Sequence, residues 1–217
     1  MENSSHASTL RPLDSDFTIG KGSNASYDFR VGNGSGNINI TLHTDDEAGI
    51  ARTITLAARV YTEQNTSSIT VAGHGTNIIT SASSGMTGTY ALTGTATAIF
   101  NADAGFGEGS AISLGAGTTL IYSNSGHELS LPCSSLILPS EGTATLRIDG
   151  YRLRGGDHVL ASGVAEGADD LLAVDPAGTA LGGRKATLRV DEVTENEETV
   201  KKLILNIVSS GLILSFM

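Results

Sequence analysis

The sequence predicts an all-β chain. A right-handed parallel β-helix with C-terminal capping hairpins is preferred over an antiparallel β-sandwich. Three observations carry the prediction. Short apolar runs recur between clusters of Gly, Ser, Asn and Pro, most regularly between Ser110 and Asp149. Alternation of apolar and polar residues over five positions, bounded by such clusters, is the mark of a half-buried strand. Composition is the second. Aromatic residues make up 5% of the 217 residues, Trp is absent and Gly numbers 27. A core made this way must use Ile, Leu, Val and Ala, which suit narrow, stacked layers, and so many glycines imply many tight turns. The third is spacing. Ile40 to Leu56 is 16 residues and Leu56 to Val71 is 15, while Leu120, Leu129, Leu138 and Leu146 recur at about half that interval. A coil with two or three faces per turn produces such a mixture. A sandwich also repeats its strands every 8 to 12 residues, roughly, and stays as the alternative.

Taken in order, residues 1–15 are polar and unpatterned and read as a flexible lead-in. Residues 16–150 read as the β-solenoid body. Period-two alternation marks strands at residues 16–20, 27–31 and 38–42, with Asn33 and Gly34 suited to a tight turn between the last two. Residues 43–49 form an acidic loop, and residues 52–61 read as one strand with Ile54 and Leu56 on one face. Ile69 to Val71 follows. From Gly73 to Gly94 the pattern weakens to short pieces at Ile78–Ile79 and Tyr90–Leu92. Residues 101–109 are a second acidic loop, rich in glycine. Four apolar runs then lie at residues 110–123, 128–131, 135–138 and 143–149. Residues 151–217 carry more charge and read as a cap of β-hairpins, which would cover the unpaired backbone at the end of a coil. Residues 192–202 read as a charged turn before the apolar run that starts at Leu203.

The net charge is −10 and the pI near 4.8. That disfavours binding to nucleic acid, which needs Lys and Arg for the phosphates, so no nucleic-acid partner is expected, and it disfavours anionic lipid. A single cysteine, Cys133, allows no internal disulfide. Its apolar surroundings make it a small core residue. The N-terminus shows neither a basic segment nor an apolar one, so no signal peptide is expected in this sequence and export must be inferred. The apolar stretch from Leu203 to Met217 is shorter than the roughly 20 residues that cross a bilayer as a helix, so no membrane insertion is expected.

Several motifs bear on chemistry. Asp14 and Asp16 are two residues apart, so on an extended strand they face one side, about 6–7 Å apart along the backbone. Two acids in one site can share a proton and support acid–base hydrolysis; the competing reading is two solvated acids near a terminus. Asp45 and Asp46, beside His43, and Asn101 and Asp103, in a glycine-rich loop, are the candidate binding residues. Each pair is equally an acidic turn. The five histidines show no zinc-binding spacing, and no Gly-x-Ser-x-Gly or phosphate-loop motif is present. No metal and no cofactor are expected.

Two resemblances add to this reading. Residues 113–120 (Ser-Leu-Gly-Ala-Gly-Thr-Thr-Leu), 136–138, 144–150 and 156–163 resemble the passenger regions of autotransporter-like secreted bacterial proteins. Those are large right-handed parallel β-helices, and the resemblance spans roughly residues 110–165. It implies a secreted or surface-displayed protein. No C-terminal membrane barrel of amphipathic strands is read in the sequence, so the resemblance implies another export route or a fragment. Leu13-Asp14-Ser15 resembles the start of an aspartic-protease motif, as in mucin-degrading secreted proteins of mucus-dwelling bacteria. Asp16 stands where that motif has Gly, and Ile148-Asp149-Gly150 lacks its hydroxyl residue.

The expected function is that of a secreted or surface-displayed β-rich module. It would bind glycans or mucin, its partner being an extracellular glycoprotein or polysaccharide. The alternative is a secreted hydrolase acting on mucin, an aspartic-type protease or a glycan-cleaving β-helix enzyme, with Asp14 and Asp16 catalytic. Oligomeric state is not legible.

Overall fold

Along each strand of the body, residues alternate between a buried aliphatic interior and the outside, as a two-residue period requires. The computed structural model describes residues 6–20, 29–31, 38–62, 66–195 and 197–208. The turn expected at Asn33 and Gly34, the strand start at Tyr27 and the last nine residues lie outside the described residues.

Two large parallel sheets are stacked. The first has six strands in the order His6–Leu10, Ile38–His43, Ser68–Ala72, Thr89–Leu92, Ala111–Leu114 and Ser135–Ile137. The second has seven: Phe17–Ile19, Thr53–Leu56, Thr76–Ile79, Thr97–Phe100, Thr119–Asn124, Ala144–Gly150 and Leu172–Val174. The chain alternates between them, so each strand pairs with one laid down a layer earlier rather than with its sequence neighbour. Two further parallel pairs, Phe29–Val31 with Val60–Thr62 and Ala82–Ser83 with Gly105–Phe106, lie on the connections from the second sheet to the first. The result is an almost entirely β fold of stacked parallel sheets. The alternative, an antiparallel sandwich, does not form, because every pairing in the two large sheets is parallel.

Register stacks like on like. Ile40, Ile69, Tyr90, Ile112 and Leu136 form one inward column of the first sheet. Leu56, Ile79, Phe100, Tyr122 and Ile148 form one of the second. All are buried. Each such side chain stabilises the fold by about 1.5–3 kcal/mol relative to exposure. On the outside of the second sheet, Thr53, Thr76, Thr97, Thr119 and Thr145 lie in one row.

The structure departs from the sequence reading at several points. Within the expected lead-in, His6–Leu10 is a strand paired with Ile38–Leu42. Its partner, 32 residues on, is invisible to local pattern. The expected strand at residues 52–61 is two, Thr53–Leu56 and Val60–Thr62, separated where the chain turns from one side to the next. Residues 128–131 form a loop, held by the buried Asn124 side chain. Its amide donates to the Gly126 and Glu128 carbonyls, and its Oδ1 accepts from Ser130 N–H at 3.0 Å. Within the region read as a cap, Leu172–Val174 continues the second sheet. The remaining C-terminal strands are antiparallel: Glu198–Ile207 lies between Gly156–Ser162 and Ala186–Glu195. Gly156–Ser162 therefore pairs with a distant strand instead of closing a local hairpin. The charged stretch read as a turn is mostly strand. Arg189 bridges Asp157 and Asp191 there, at 2.6 and 2.9 Å.

Candidate functional site

The most developed concavity lies where the loop after Thr97–Phe100 meets the ends of Thr119–Asn124 and Ala144–Gly150. Layer stacking positions its parts. Asn124 and Gly150 are in register, and Tyr151 N–H donates to the Asn124 carbonyl at 3.0 Å. Gly150 has φ +94°, and a Cβ there would sit 2.4 Å from the Asn124 carbonyl oxygen, so only glycine fits. This close approach sets Tyr151 at the rim. Its ring is 62% exposed and packs edge-on against His127, with centroids 6.2 Å apart. His127 is fixed in turn by a 2.9 Å hydrogen bond between Nδ1 and the Arg152 carbonyl.

The opposite wall is the acidic loop. Asn101 accepts the Ala104 N–H through its carbonyl at 3.0 Å, which closes a turn with Asp103 at φ +65°. A non-glycine residue in that region is uncommon, and such conformations gather at functional sites. Below, Phe106 anchors the loop in an aromatic cluster with Phe100 and Tyr90, at 5.1 and 5.3 Å.

Between these walls lies a hollow of about 430 Å³, lined by Ala102, Asp103, Ser123, Asn124, Ser125, Gly150 and Tyr151. A second hollow of about 260 Å³ shares Asp103, Ser123 and Ser125 with it and runs on past Tyr122 towards Leu131 and Pro132. Together they make a groove of the size that holds a small ligand. Its chemistry is an aromatic face, serine hydroxyls and one carboxylate. The Asp103 carboxylate has no partner among the described residues. Tyr122 lines the second hollow; its hydroxyl is buried without a hydrogen-bond partner among the described residues, and burial pushes its pKa up. Cys133 is also raised, to about 11, by burial, so it is a thiol and not a nucleophile at neutral pH.

The other sequence candidates lie apart from this groove. Asp14 is exposed on the wall of a hollow of about 340 Å³ shared with Leu10, Arg11, Pro12, Leu13, Ser15 and Phe17. Asp16 lies outside that lining, and its Oδ1 accepts the Thr53 N–H at 2.7 Å, which ties the strand start to the next layer. One acid of the pair thus serves strand pairing. Asp45 and Asp46 are brought close to His43, but their carboxylates are buried and engaged. Asp45 accepts the His74 backbone N–H at 2.9 Å and contacts His74 Nδ1 at 2.7 Å. Burial raises the pKa of Asp45, the His74 hydrogen bonds outweigh that, and the net shift is downward. Asp46 accepts from Ala48 and Ile50 N–H and from the Arg52 guanidinium at 2.7 Å. Ile50 N–H leads in holding its pKa low, against burial. Both residues lock the turn and the layer stacking. Among the described residues, no group of three or more His, Cys, Asp or Glu is placed to hold a metal ion, and no helix is long and apolar enough to cross a membrane.

Asp103 is thus the sequence candidate whose side chain lines the groove. Asn101 supplies the turn that presents it. Ser123, Asn124, Ser125 and Tyr151 were missed. The available signal was an aromatic directly after a strand-ending Gly150, and a polar triplet ending the strand one layer before. No family model matches the chain, and no curated protein or solved structure is significantly similar to it.

Proposed function

We propose that this chain is a secreted or surface-displayed binding module that recognises glycans of an extracellular glycoprotein or polysaccharide. The observation that carries the reading is the groove: an exposed tyrosine at one rim, serines in the lining and an acidic residue, Asp103, whose carboxylate has no partner among the described residues. Sugar recognition calls for that combination, a ring for the apolar face of a pyranose and polar groups for its hydroxyls. We further propose that the stacked sheets close as a right-handed parallel β-helix with an antiparallel C-terminal cap. Parallel crossovers are overwhelmingly right-handed, and the three-stranded antiparallel unit follows the last parallel layer. That architecture is the one the autotransporter-like resemblance implies.

The test is a panel of immobilised mucins and polysaccharides probed with the chain and with Tyr151→Ala. Binding that Tyr151→Ala weakens at least tenfold without lowering the melting temperature supports the reading. Silence across the panel, or binding indifferent to Tyr151, overturns it.

A further inference from the structure

We infer that the groove selects a saccharide carrying a free amine, a hexosamine unit with its nitrogen unacylated; this deepens, and rests on, the glycan-groove reading. Charge is the argument. Asp103 lines both hollows, its carboxylate has no counter-charge from the chain among the described residues, and neither lining contains Lys, Arg or His. The two arginines that follow Tyr151 are directed elsewhere. The Arg152 side chain lies over Gly182, its Nε 2.9 Å from where a Cβ of that residue would be. Arg154 is paired with Glu128 at 2.9 Å. The net charge of −10 adds a field that attracts cations and repels anions.

Tyr151 supplies the second half of an ammonium site. Its ring is 62% exposed, and an ammonium group over an aromatic face gains from the ring quadrupole. A protonated sugar amine seated between Asp103 and Tyr151 would satisfy the carboxylate and use the ring at once. An N-acetyl group in its place offers no charge, and a uronate or sialate brings a second carboxylate against the first. Like charges brought together at a site without counter-charge disfavour binding.

The experiment is a titration, at mildly acidic pH where the sugar amine is protonated, with three oligosaccharides of equal length. These are a glucosamine tetramer, its N-acetylated form and a uronate tetramer. The glucosamine tetramer should bind roughly 5- to 30-fold tighter than the N-acetylated one, the size of an exposed ion pair plus a cation–π contact. The uronate should bind weakest. Added salt should reduce the preference, and in Asp103→Asn the amine and N-acetylated tetramers should bind alike. Equal affinity for amine and N-acetyl forms, or a preference that survives in Asp103→Asn, overturns the charge assignment and leaves the groove reading standing. If no saccharide binds, both fall.

Discussion

Removing one oxygen atom from the core tests the stacking directly. Tyr90 and Asn77 are fully buried on facing sheets. The Tyr90 hydroxyl donates to Asn77 Oδ1 at 2.5 Å, and Asn77 Nδ2 donates to the Ile54 carbonyl at 2.7 Å. Tyr90→Phe keeps the ring against Phe100 and Phe106 but leaves Asn77 Oδ1 without a donor inside the core. An unsatisfied buried acceptor costs about 1–3 kcal/mol, so the melting temperature should fall by about 2–4 °C for each kcal/mol in a chain of this size. Asn77→Leu alone strands the Tyr90 hydroxyl and should cost a similar amount. The double variant leaves neither group orphaned and should be less destabilised than the sum, with a coupling of about 1–2 kcal/mol. Urea titration followed by circular dichroism measures all four proteins. If Tyr90→Phe were neutral within about 0.3 kcal/mol, or the two changes were additive, the two groups would not be bonded and the inward register of these strands would be wrong.

Three further outcomes are expected. A Cβ at Gly107 would lie 2.0 Å from the Ser84 carbonyl oxygen of the adjacent layer, so Gly107→Ala should destabilise by about 3 kcal/mol or more, while Gly126→Ala, with open space, should stay within about 0.5 kcal/mol; equal melting temperatures would contradict the layer contact. Hydrogen bonds from Arg189, then Asn206, hold the Asp157 carboxyl at about 2, below its unfolded value. Its contribution is therefore present above about pH 4 and lost as pH falls towards 2, and Asp157→Asn should flatten the acid limb of the melting curve; an unchanged acid limb would count against the bridge. Cys133, half-buried and raised to about 11, should react with a maleimide more slowly in the native protein than in urea; equally fast native labelling would contradict the raised thiol.

Strand content was legible because the sequence alternates wherever one side of a strand is buried, as in Ile38–His43 and Ala144–Gly150. What stacks on what was less legible. The partner of His6–Leu10 starts at Ile38 and that of Asn39–His43 starts at Ser68, distances at which no local periodicity speaks. The weak stretch from Gly73 to Gly94 contains two core strands, Thr76–Ile79 and Thr89–Leu92, whose inward residues include, beside Ile79 and Leu92, Asn77 and Tyr90, a hydrogen-bonded polar pair that an apolar pattern cannot find. Acidic residues were equally ambiguous. Asp45, Asp16, Asp46 and Asp103 look alike in sequence, yet the first two have donors from the next layer, Asp46 has donors from its own turn, and Asp103 has none among the described residues. Tyr151 gained its role only through the close approach of Gly150 to Asn124.

The most direct test of the proposed groove is to follow backbone amide resonances of the isotope-labelled chain while titrating a glucosamine oligosaccharide. The account predicts shifts confined to residues 101–106, 122–126 and 150–152, saturating with the ligand and absent in Tyr151→Ala. Shifts centred instead on the antiparallel strands Ala186–Glu195 and Glu198–Ile207, or no shift at any concentration, would contradict it.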